Sequence, residues 1–244
     1  MDFYSFAPIA AALDAAYNAV TALASLLTPL VGPASAAAAV ILITVLVRAA
    51  LIPVGVTQVK AEFTRKRLAP KLQALRRRYE TNPEVLHRKT MELYAAEKAS
   101  PVAGCLPTLL QLPVLSTVYG LFILGTINGH ENTLLSESVF GVALGRSLVS
   151  GPEWPGVLVF VAALAIIGVT AWFSRRAAVT SAAGQADAAP PALRNLTGSL
   201  SWLPFVTVVF AAIVPLAAAL YLAVTTTWTL VERTVLRRVL APRG

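Results

Sequence analysis

Long apolar runs alternate with polar segments along most of the chain. A membrane-spanning helix needs about 20 predominantly apolar residues to cross roughly 30 Å of hydrocarbon. Four runs meet or approach that length, and the last run, 200–231, is too long for one helix. Pro215 lies inside it and lacks the amide hydrogen that an uninterrupted helix uses, so we expect two short spans joined by a tight turn there. The pattern therefore predicts an all-α polytopic protein with five spans, at residues 36–58, 105–127, 155–173, 200–214 and 215–231.

Residues 1–35 are also rich in apolar positions, but prolines and polar residues interrupt them. Apolar residues recur here at spacings of three and four, with Asp14 and Asn18 away from that face. This pattern is typical of an amphipathic helix that lies in the membrane interface, and we predict one; a sixth span is the alternative. Its apolar face consists of Phe6, Ile9, Leu13, Tyr17, Val20 and Leu23.

The composition supports a membrane protein and the charge orients it. Hydrophobic residues make up 57% of the chain and charged residues 13%, against about 45–50% and about 25% in soluble domains. In a soluble protein, a formal net charge of +8 would suggest that the protein binds nucleic acid. Here the basic residues are concentrated in particular loops, so we expect no DNA partner. Of 20 Lys and Arg residues, 18 lie in three alternate segments, 59–104, 174–199 and 232–244, whereas 128–154 holds Arg146 alone. Lys- and Arg-rich loops stay in the cytoplasm, so we expect the N terminus outside and the C terminus inside.

The basic segment 59–104 has the periodicity of two helices. Leu68, Leu72, Leu75 and Tyr79 form an apolar stripe on the first helix. Asn82 is expected to cap the second helix, with Pro83 at its first position. We therefore predict a helical hairpin in the cytoplasm. Its charges either contact a partner or form a solvated face near anionic lipid headgroups, and the most basic run is Arg76, Arg77 and Arg78.

The two remaining loops offer little chemistry. The segment 174–199 contains Gly, Ala and a Pro-Pro pair and is predicted to be a flexible cytoplasmic loop. The outer loop 128–154 is rich in Gly and Ser, and we expect short structure near 140–144.

Arg48 is the unusual residue of the first span. It precedes Lys60 by twelve residues, which places it about 18 Å deep, near the bilayer midplane. An arginine there costs roughly 2.5–3.5 kcal/mol on insertion scales. No Asp or Glu lies inside a predicted span, so we expect the guanidinium to face a water-filled cavity lined by polar side chains. An ion pair with a partner subunit or a lipid phosphate is the alternative.

Polar residues on four spans are candidates to line that cavity. Gln111 is the strongest, since a buried primary amide has four hydrogen-bonding sites to satisfy. A Ser or Thr side chain can instead bond a carbonyl of its own helix. The predicted site consists of Arg48, Thr44, Thr108, Gln111, Thr207 and Thr225, with Gln58, Ser116, Thr117, Thr226 and Thr227 as further candidates.

The chain lacks the residues that intramembrane chemistry would need. His87 and His130 lie outside the spans, Cys105 is the single cysteine, and no Gly-rich phosphate loop occurs. We therefore expect no enzymatic activity, no metal and no cofactor. A small-solute transporter or channel is an alternative function, although such proteins commonly have internal repeats and intramembrane carboxylates, and neither is found here.

The order of these parts carries a family resemblance. After the span with Arg48 come Leu51-Ile52-Pro53, the basic hairpin, the run Gly-Cys-Leu-Pro-Thr-Leu-Leu-Gln-Leu-Pro at 104–113, and Pro215 followed by Ala-Leu-Tyr at 219–221. Over roughly residues 36–240 the chain resembles the YidC/Oxa/Alb family of membrane protein insertases. With no large periplasmic domain and no lipobox cysteine near its start, it is more similar to actinobacterial members than to proteobacterial ones. It departs from many relatives at Leu222, where they have Trp, and at Glu232, where they have Gln.

The resemblance implies a function for the predicted cavity. A groove open to the cytoplasm and to lipid, and closed outside, would attract the polar or acidic N-terminal tail of a small single-span nascent protein to Arg48. The hairpin at 60–101, with Tyr79 beside its arginines, would capture the substrate, and a bacterial cell membrane would be the location. The tail residues Arg237, Arg238 and Arg243 would contact the ribosome, whereas lipid is the alternative ligand for them. The resemblance leaves open whether the Sec translocon takes part.

Overall fold

The computed structural model describes residues 6–97, 99, 116–151, 154, 156–183 and 201–241. In the stretch 156–183 it describes the side chains of residues 156–180. These residues are mostly helical, and the strands form two short hairpins in one loop. The helices are α1 (Ala7–Val31), α2 (Ser35–Ala50), α3 (Ile52–Arg78), α4 (Pro83–Ala96), α5 (116–123), α6 (Gly156–Ala183), α7 (Leu203–Ile213) and α8 (Leu216–Val239). The strands are β1 (Thr126–Ile127), β2 (His130–Glu131), β3 (Ser138–Val139) and β4 (Val142–Ala143).

Two described helical stretches are long and apolar enough to cross a membrane, Ala7–Ala50 and Gly156–Thr180. The first comprises α1 and α2, which are joined by a short 3-10 turn at Gly32–Ala34. The apolar helix α7 has 11 residues and a length of about 16 Å. The predicted mostly helical membrane fold is therefore supported in its coarse form, whereas the number of spans stays a prediction.

Helix α8 is the centre of the packing, because α2, α3, α6 and α7 all contact it. Its first turns are buried and consist largely of alanine, which allows neighbouring helices to approach closely. Ala223, about one turn after Ala219, belongs to the same core cluster, and Tyr221 is also buried. The side chains of Phe160 and Ile167 on α6 are fully buried beside them in the core cluster.

The predicted break at Pro215 is confirmed. Val214 adopts an extended conformation at the end of α7, and Pro215 is the N-cap of α8. Helix α8 then continues to Val239, eight residues past the predicted end of the fifth span. The basic residues Arg237 and Arg238 therefore lie in its last turn, where cations interact favourably with the helix dipole.

Other helix ends differ from the predicted spans. The segment 36–58 is divided at Leu51 into α2 and α3, since Pro53 has no amide hydrogen and disfavours helical geometry at the residue before it. In the described part of the second predicted span, α5 ends at residue 123, and β1 follows at 126–127. Helix α6 runs ten residues past Phe173, so the start of the predicted loop 174–199 is helical.

The predicted cytoplasmic hairpin is present as α3 and α4. Asn82 accepts a hydrogen bond from the Val85 amide at 3.2 Å, and Pro83 is in the first turn of α4, as predicted. Of the predicted apolar stripe, Leu68 is fully buried and the other members are half-buried. One buried leucine and the turn at Asn82 therefore contribute to the hairpin.

Removal of the Asn82 cap should loosen the start of α4. We expect Asn82→Ala to lower the local stability of the helix by about 1 kcal/mol, because the Val85 amide loses its acceptor. Hydrogen exchange of the first-turn amides measures this, and Asn82→Ser is the matched control that retains an acceptor. Equal exchange in the alanine and serine variants would show that the cap contributes nothing.

Candidate functional site

Arg48 lies in the last turn of α2 with a half-buried side chain. It follows Ser35, at the start of α2, by thirteen residues, or about 20 Å along the helix. Within the described part of the chain, no residue accepts a hydrogen bond from its guanidinium or forms an ion pair with it. The five N–H donors of this guanidinium therefore have no partner among the described residues, and its depth in a membrane and the cavity around it stay predictions.

Thr44 is buried and Thr225 is half-buried with a buried hydroxyl oxygen, and the two threonines differ in their hydrogen bonds. The hydroxyl of Thr44 donates to the carbonyl of Val40 at 2.6 Å, so its own helix satisfies it. The hydroxyl oxygen of Thr225 on α8 is also buried, but it has no hydrogen-bond partner among the described residues. Thr225 is thus the stronger candidate for a polar contact with water or substrate, since a buried hydroxyl without a partner is costly.

Thr44 and Thr225 lie at a similar depth on two helices that pack together. Each is nine positions after the first residue of its helix, about 14 Å along the axis. Both helices begin against the same loop, since β3 lies beside α2 and the Leu216 amide donates to the carbonyl of Arg146 at 2.8 Å. Thr44 and Thr225 are therefore at the same height in this pair of packed helices. Arg48 lies about one turn further along α2.

The positions of the other predicted lining residues give less information about a polar site. Thr207 on α7 is half-buried, and Thr108 and Gln111 lie outside the described residues. Thr226 donates to the carbonyl of Leu222 at 2.8 Å, and its hydroxyl lies 3.3 Å from that of Thr170 on α6. This contact joins α6 to α8, so we assign Thr226 to helix packing.

Sequence analysis missed a close contact between α3 and α8. Glu232 fills the space where a side chain of Gly55 would stand, and its Oε1 is 1.8 Å from the ideal Cβ position there. The indole Nε1 of Trp228 donates to Oε2 of Glu232 at 2.9 Å and holds the carboxylate. A glycine inside a helical pattern is a recognised sign of close packing, and this signal was available in the sequence.

An ion-pair cluster joins the same two helices seven residues further along α3, or about two turns, and five residues further along α8. The Nε and Nη2 atoms of Arg237 donate to Oε2 of Glu62 at 3.2 and 2.9 Å, and Lys66 lies 2.9 Å from Oε1. Partial burial raises the pKa of Glu62, but the bonds from Lys66 and Arg237 outweigh it and lower this pKa below its ordinary value. Arg237, expected at the ribosome, is therefore engaged within the chain, whereas Arg238 is exposed and Arg243 lies outside the described residues.

The predicted capture residues lie at the far end of the hairpin. Arg76, Arg77 and Arg78 are all exposed at the end of α3, and the guanidinium of Arg78 lies 5.6 Å from the ring centre of Tyr79. This arrangement leaves three cations available to an anionic partner. The opposite end of the hairpin is closed by Glu97, which pairs with Arg67 at 3.0 Å and with Lys71.

The closure of the hairpin by Glu97 should depend on pH. The hydrogen bond from Lys71, with the nearby positive charges, lowers the pKa of Glu97 from 4.5. A lowered pKa means that the contribution to stability is complete above pH 4.5 and is lost as the pH falls through the lowered value. We expect the distance between spin labels on α3 and α4 to be constant near neutral pH and to broaden in acid. Glu97→Gln should remove that transition, and an unchanged transition in this variant would assign it to another group.

The loop 124–151 covers the side of the molecule opposite the hairpin. His130 Nε2 lies 2.9 Å from Oδ1 of Asp14 on α1, and the hydroxyls of Tyr17 and Thr133 are 2.9 Å apart. The bond to Asp14 raises the pKa of His130, with a further contribution from the carbonyl of Glu131. Short structure near 140–144, predicted from the sequence, is present as the β3–β4 hairpin.

The predicted apolar face of α1 is largely its buried face. Leu13 and Val20 are buried, and Tyr17 and Leu23 pack against the core. Phe6, the first residue of the predicted face, is exposed. Asp14 lies off that face as expected, and it is the residue that pairs with the loop.

No group of His, Cys, Asp and Glu side chains in the described ranges could hold a metal ion. The polar features that bear on function are a half-buried arginine on an apolar helix, a buried threonine hydroxyl and a basic hairpin. Such an arrangement can attract and hydrate a polar or anionic peptide segment, since a guanidinium favours carboxylates and requires hydrogen-bond acceptors.

Comparison with known proteins gives the family. The family model described as 60Kd inner membrane protein matches residues 26–243. Among similar proteins, the membrane protein insertase YidC of Fusobacterium nucleatum is 37% identical over 95 residues, which cover 39% of this chain and 46% of that protein. The protein of the same name from Burkholderia cenocepacia is 36% identical over 85 residues, which cover 35% of this chain and 15% of that protein. The chain thus matches less than half of the length of these relatives. Because the family model covers most of the sequence, the chain belongs to the 60Kd inner membrane protein family, and the resemblance to the YidC/Oxa/Alb family is confirmed.

Proposed function

We propose that this chain is a membrane protein insertase that passes the N-terminal tails of small single-span proteins through a hydrophilic groove next to Arg48. The observation that carries the proposal is the guanidinium of Arg48, which is half-buried on the apolar helix α2 and has no partner among the described residues. The family membership supports it, since relatives carry the name membrane protein insertase. No chemical step is needed for this function, so the chain would act without being an enzyme.

We propose five spans around the groove, with α1 in the plane of the outer interface. The contacts of α1 support the in-plane position. Asp14 pairs with His130, while the turn that follows α1 at Gly32–Ala34 lies against β3 of the same loop. These two points are eighteen residues apart, or about 27 Å along the helix. A helix perpendicular to the membrane would carry one of them almost a full hydrocarbon thickness away from the outer surface.

The groove would lower the barrier for a polar tail in two ways. Water and hydroxyl groups such as that of Thr225 would replace part of the hydration that the tail loses. The charge of Arg48 would attract acidic residues, and this attraction is stronger in a cavity than in bulk water, where two charges 4 Å apart gain only about 1 kcal/mol. Burial of the apolar helix of the substrate in lipid, at about 25 cal/mol per Å² of apolar surface, would drive its release.

The basic hairpin would be the first contact for a substrate. Its three exposed arginines, Arg76 to Arg78, project from the end of α3 and carry no described ion pair. Nascent membrane proteins are the partners that we propose, and the cytoplasmic side is the proposed location of the hairpin. Contacts with the ribosome through Arg238, or with the Sec translocon, are further proposals.

Reconstitution tests the function directly. Liposomes that contain this protein alone should insert a small single-span protein with a protease-protected outer tail, well above empty liposomes. Solute and ion flux across the same liposomes distinguishes the alternative function, a transporter or channel. Flux without insertion, from protein shown to be folded, would overturn the proposal.

A further inference from the structure

A second site lies where Arg175, eight residues before the end of α6, meets Trp202 at the start of α7, and none of the described residues accepts a hydrogen bond from this arginine. The guanidinium carbon of Arg175 lies 4.2 Å from the ring centre of Trp202. The Nε of Arg175 is buried and has no hydrogen-bond partner, and none of the described acidic residues forms an ion pair with this side chain. Because Nε is buried and the residue as a whole is half-buried, the donors that an acceptor from outside the protein can reach are the terminal Nη groups of the stacked guanidinium.

The site lies where phospholipid headgroups are expected. Arg175 follows Gly156, the first residue of α6, by nineteen residues, or about 28 Å along the helix. That distance matches the thickness of the hydrocarbon core, and the apolar run of α6 ends just before Arg175. In the proposed orientation this end of α6 faces the cytoplasm, where anionic lipids give the leaflet a negative surface potential.

The side chains around Arg175 fit an amphipathic ligand. Trp202 and Trp172 are each about half exposed, as is typical of aromatic residues at the membrane interface. Phe173 and Leu203 expose apolar surface on the same helix ends, where acyl chains would contact them. The adjacent Arg176 is exposed and does not stack on Trp202, so it lies outside this site. A cation with a planar donor fork beside apolar surface is suited to a lipid phosphate, which Arg binds in bidentate fashion.

We propose that Arg175, oriented by Trp202, binds the phosphate group of an anionic phospholipid of the cytoplasmic leaflet. The inference depends on the proposed membrane orientation and is independent of insertion activity. The ring of Trp202 covers one face of the guanidinium and restricts its rotation, so less side-chain entropy is lost when the phosphate binds. The lipid would in turn hold the ends of α6 and α7 together at the membrane surface.

Native mass spectrometry of the purified full chain, titrated with phosphatidylglycerol, measures this binding. We expect Arg175→Gln to weaken the tightest phosphatidylglycerol site by about tenfold, as loss of a charge-assisted hydrogen bond does. Trp202→Leu should weaken it less, since the charge remains. Arg176→Gln is the matched control, because it removes an equal charge from the adjacent position, and we expect little change. Thermal denaturation of each variant verifies that it is folded.

Parallel titrations distinguish the source of the phosphate. Phosphatidylcholine should bind more weakly than phosphatidylglycerol, and millimolar inorganic phosphate should not displace the bound lipid. The proposal is overturned if folded Arg175→Gln binds phosphatidylglycerol as the unmodified protein does, if Arg176→Gln causes the same loss, or if inorganic phosphate competes fully.

Discussion

Replacement of Arg48 by alanine is expected to reduce the insertion of single-span proteins with acidic tails by at least about tenfold, with the fold intact. A tenfold effect corresponds to about 1.4 kcal/mol, which is within reach of one charge interaction in a partly hydrated cavity. The fold should survive because no described residue depends on the guanidinium for a hydrogen bond or an ion pair. Arg48→Lys should be milder, since the proposal uses charge and not the geometry of the donor fork.

The matched control for Arg48 is Arg146, the other basic residue outside the three predicted cytoplasmic segments. The side chain of Arg146 makes one long hydrogen bond, of 3.4 Å, to the carbonyl of Ser150 on the outer loop. Arg146→Ala removes the same charge from the chain, and we expect insertion in liposomes to be unchanged. Substrates with neutral tails should also lose less than acidic ones in Arg48→Ala. Equal insertion by the Arg48→Ala variant and the unmodified protein would remove this residue from the mechanism.

A larger side chain at Gly55 is expected to crowd the contact between α3 and α8 and to destabilise the protein. Glu232 occupies the position of a Cβ at Gly55, and Trp228 holds the carboxylate there. Gly55→Leu must displace the Glu232 carboxylate from its bond to Trp228 and crowd the side chain of Leu236, and overpacking of this kind costs about 1–3 kcal/mol. We expect a lower thermal midpoint in detergent, together with a change in Trp228 fluorescence as its hydrogen bond is lost.

Two milder substitutions test whether the loss of stability arises from the contact with Glu232 or from any side chain at position 55. Gly55→Ala alone should destabilise, because the new methyl group displaces the carboxylate. In a Glu232→Ala background the same change should stabilise, since the obstacle is gone and alanine has a helix propensity about 1 kcal/mol better than that of glycine. Destabilisation of equal size in both backgrounds would contradict the proposed role of Glu232.

The features that the sequence predicted correctly are those with local causes. The break at Pro215 and the cap at Asn82 follow from the missing amide hydrogen of proline and from the short side chain of asparagine, which act within one turn of the chain. The hairpin and the apolar face of α1 follow from helical periodicity in the same way. Helix ends without such signals, such as those of α6 and α8, continued past the predicted boundaries.

The same distinction between local and tertiary causes applies to the candidate site. Arg48 could be identified from the sequence because the absence of acidic residues in the spans is a property of composition. The sequence could not show which of Thr44 and Thr225 has a hydrogen-bond partner for its hydroxyl, since both threonines have a carbonyl of their own helix within reach. The side-chain rotamer decides between the two outcomes, and it depends on the neighbouring helix.

By itself the sequence determined that the chain is apolar and helical and which segments carry the positive charge, and it predicted which arginine lies at membrane depth. Tertiary structure alone decided that Glu232 meets Gly55, that Glu62 binds Arg237, and that Arg175 stacks on Trp202. The physical reason is distance along the chain. Periodicity and capping act over a few residues, whereas these contacts join residues that are far apart in sequence and meet only after the helices have packed.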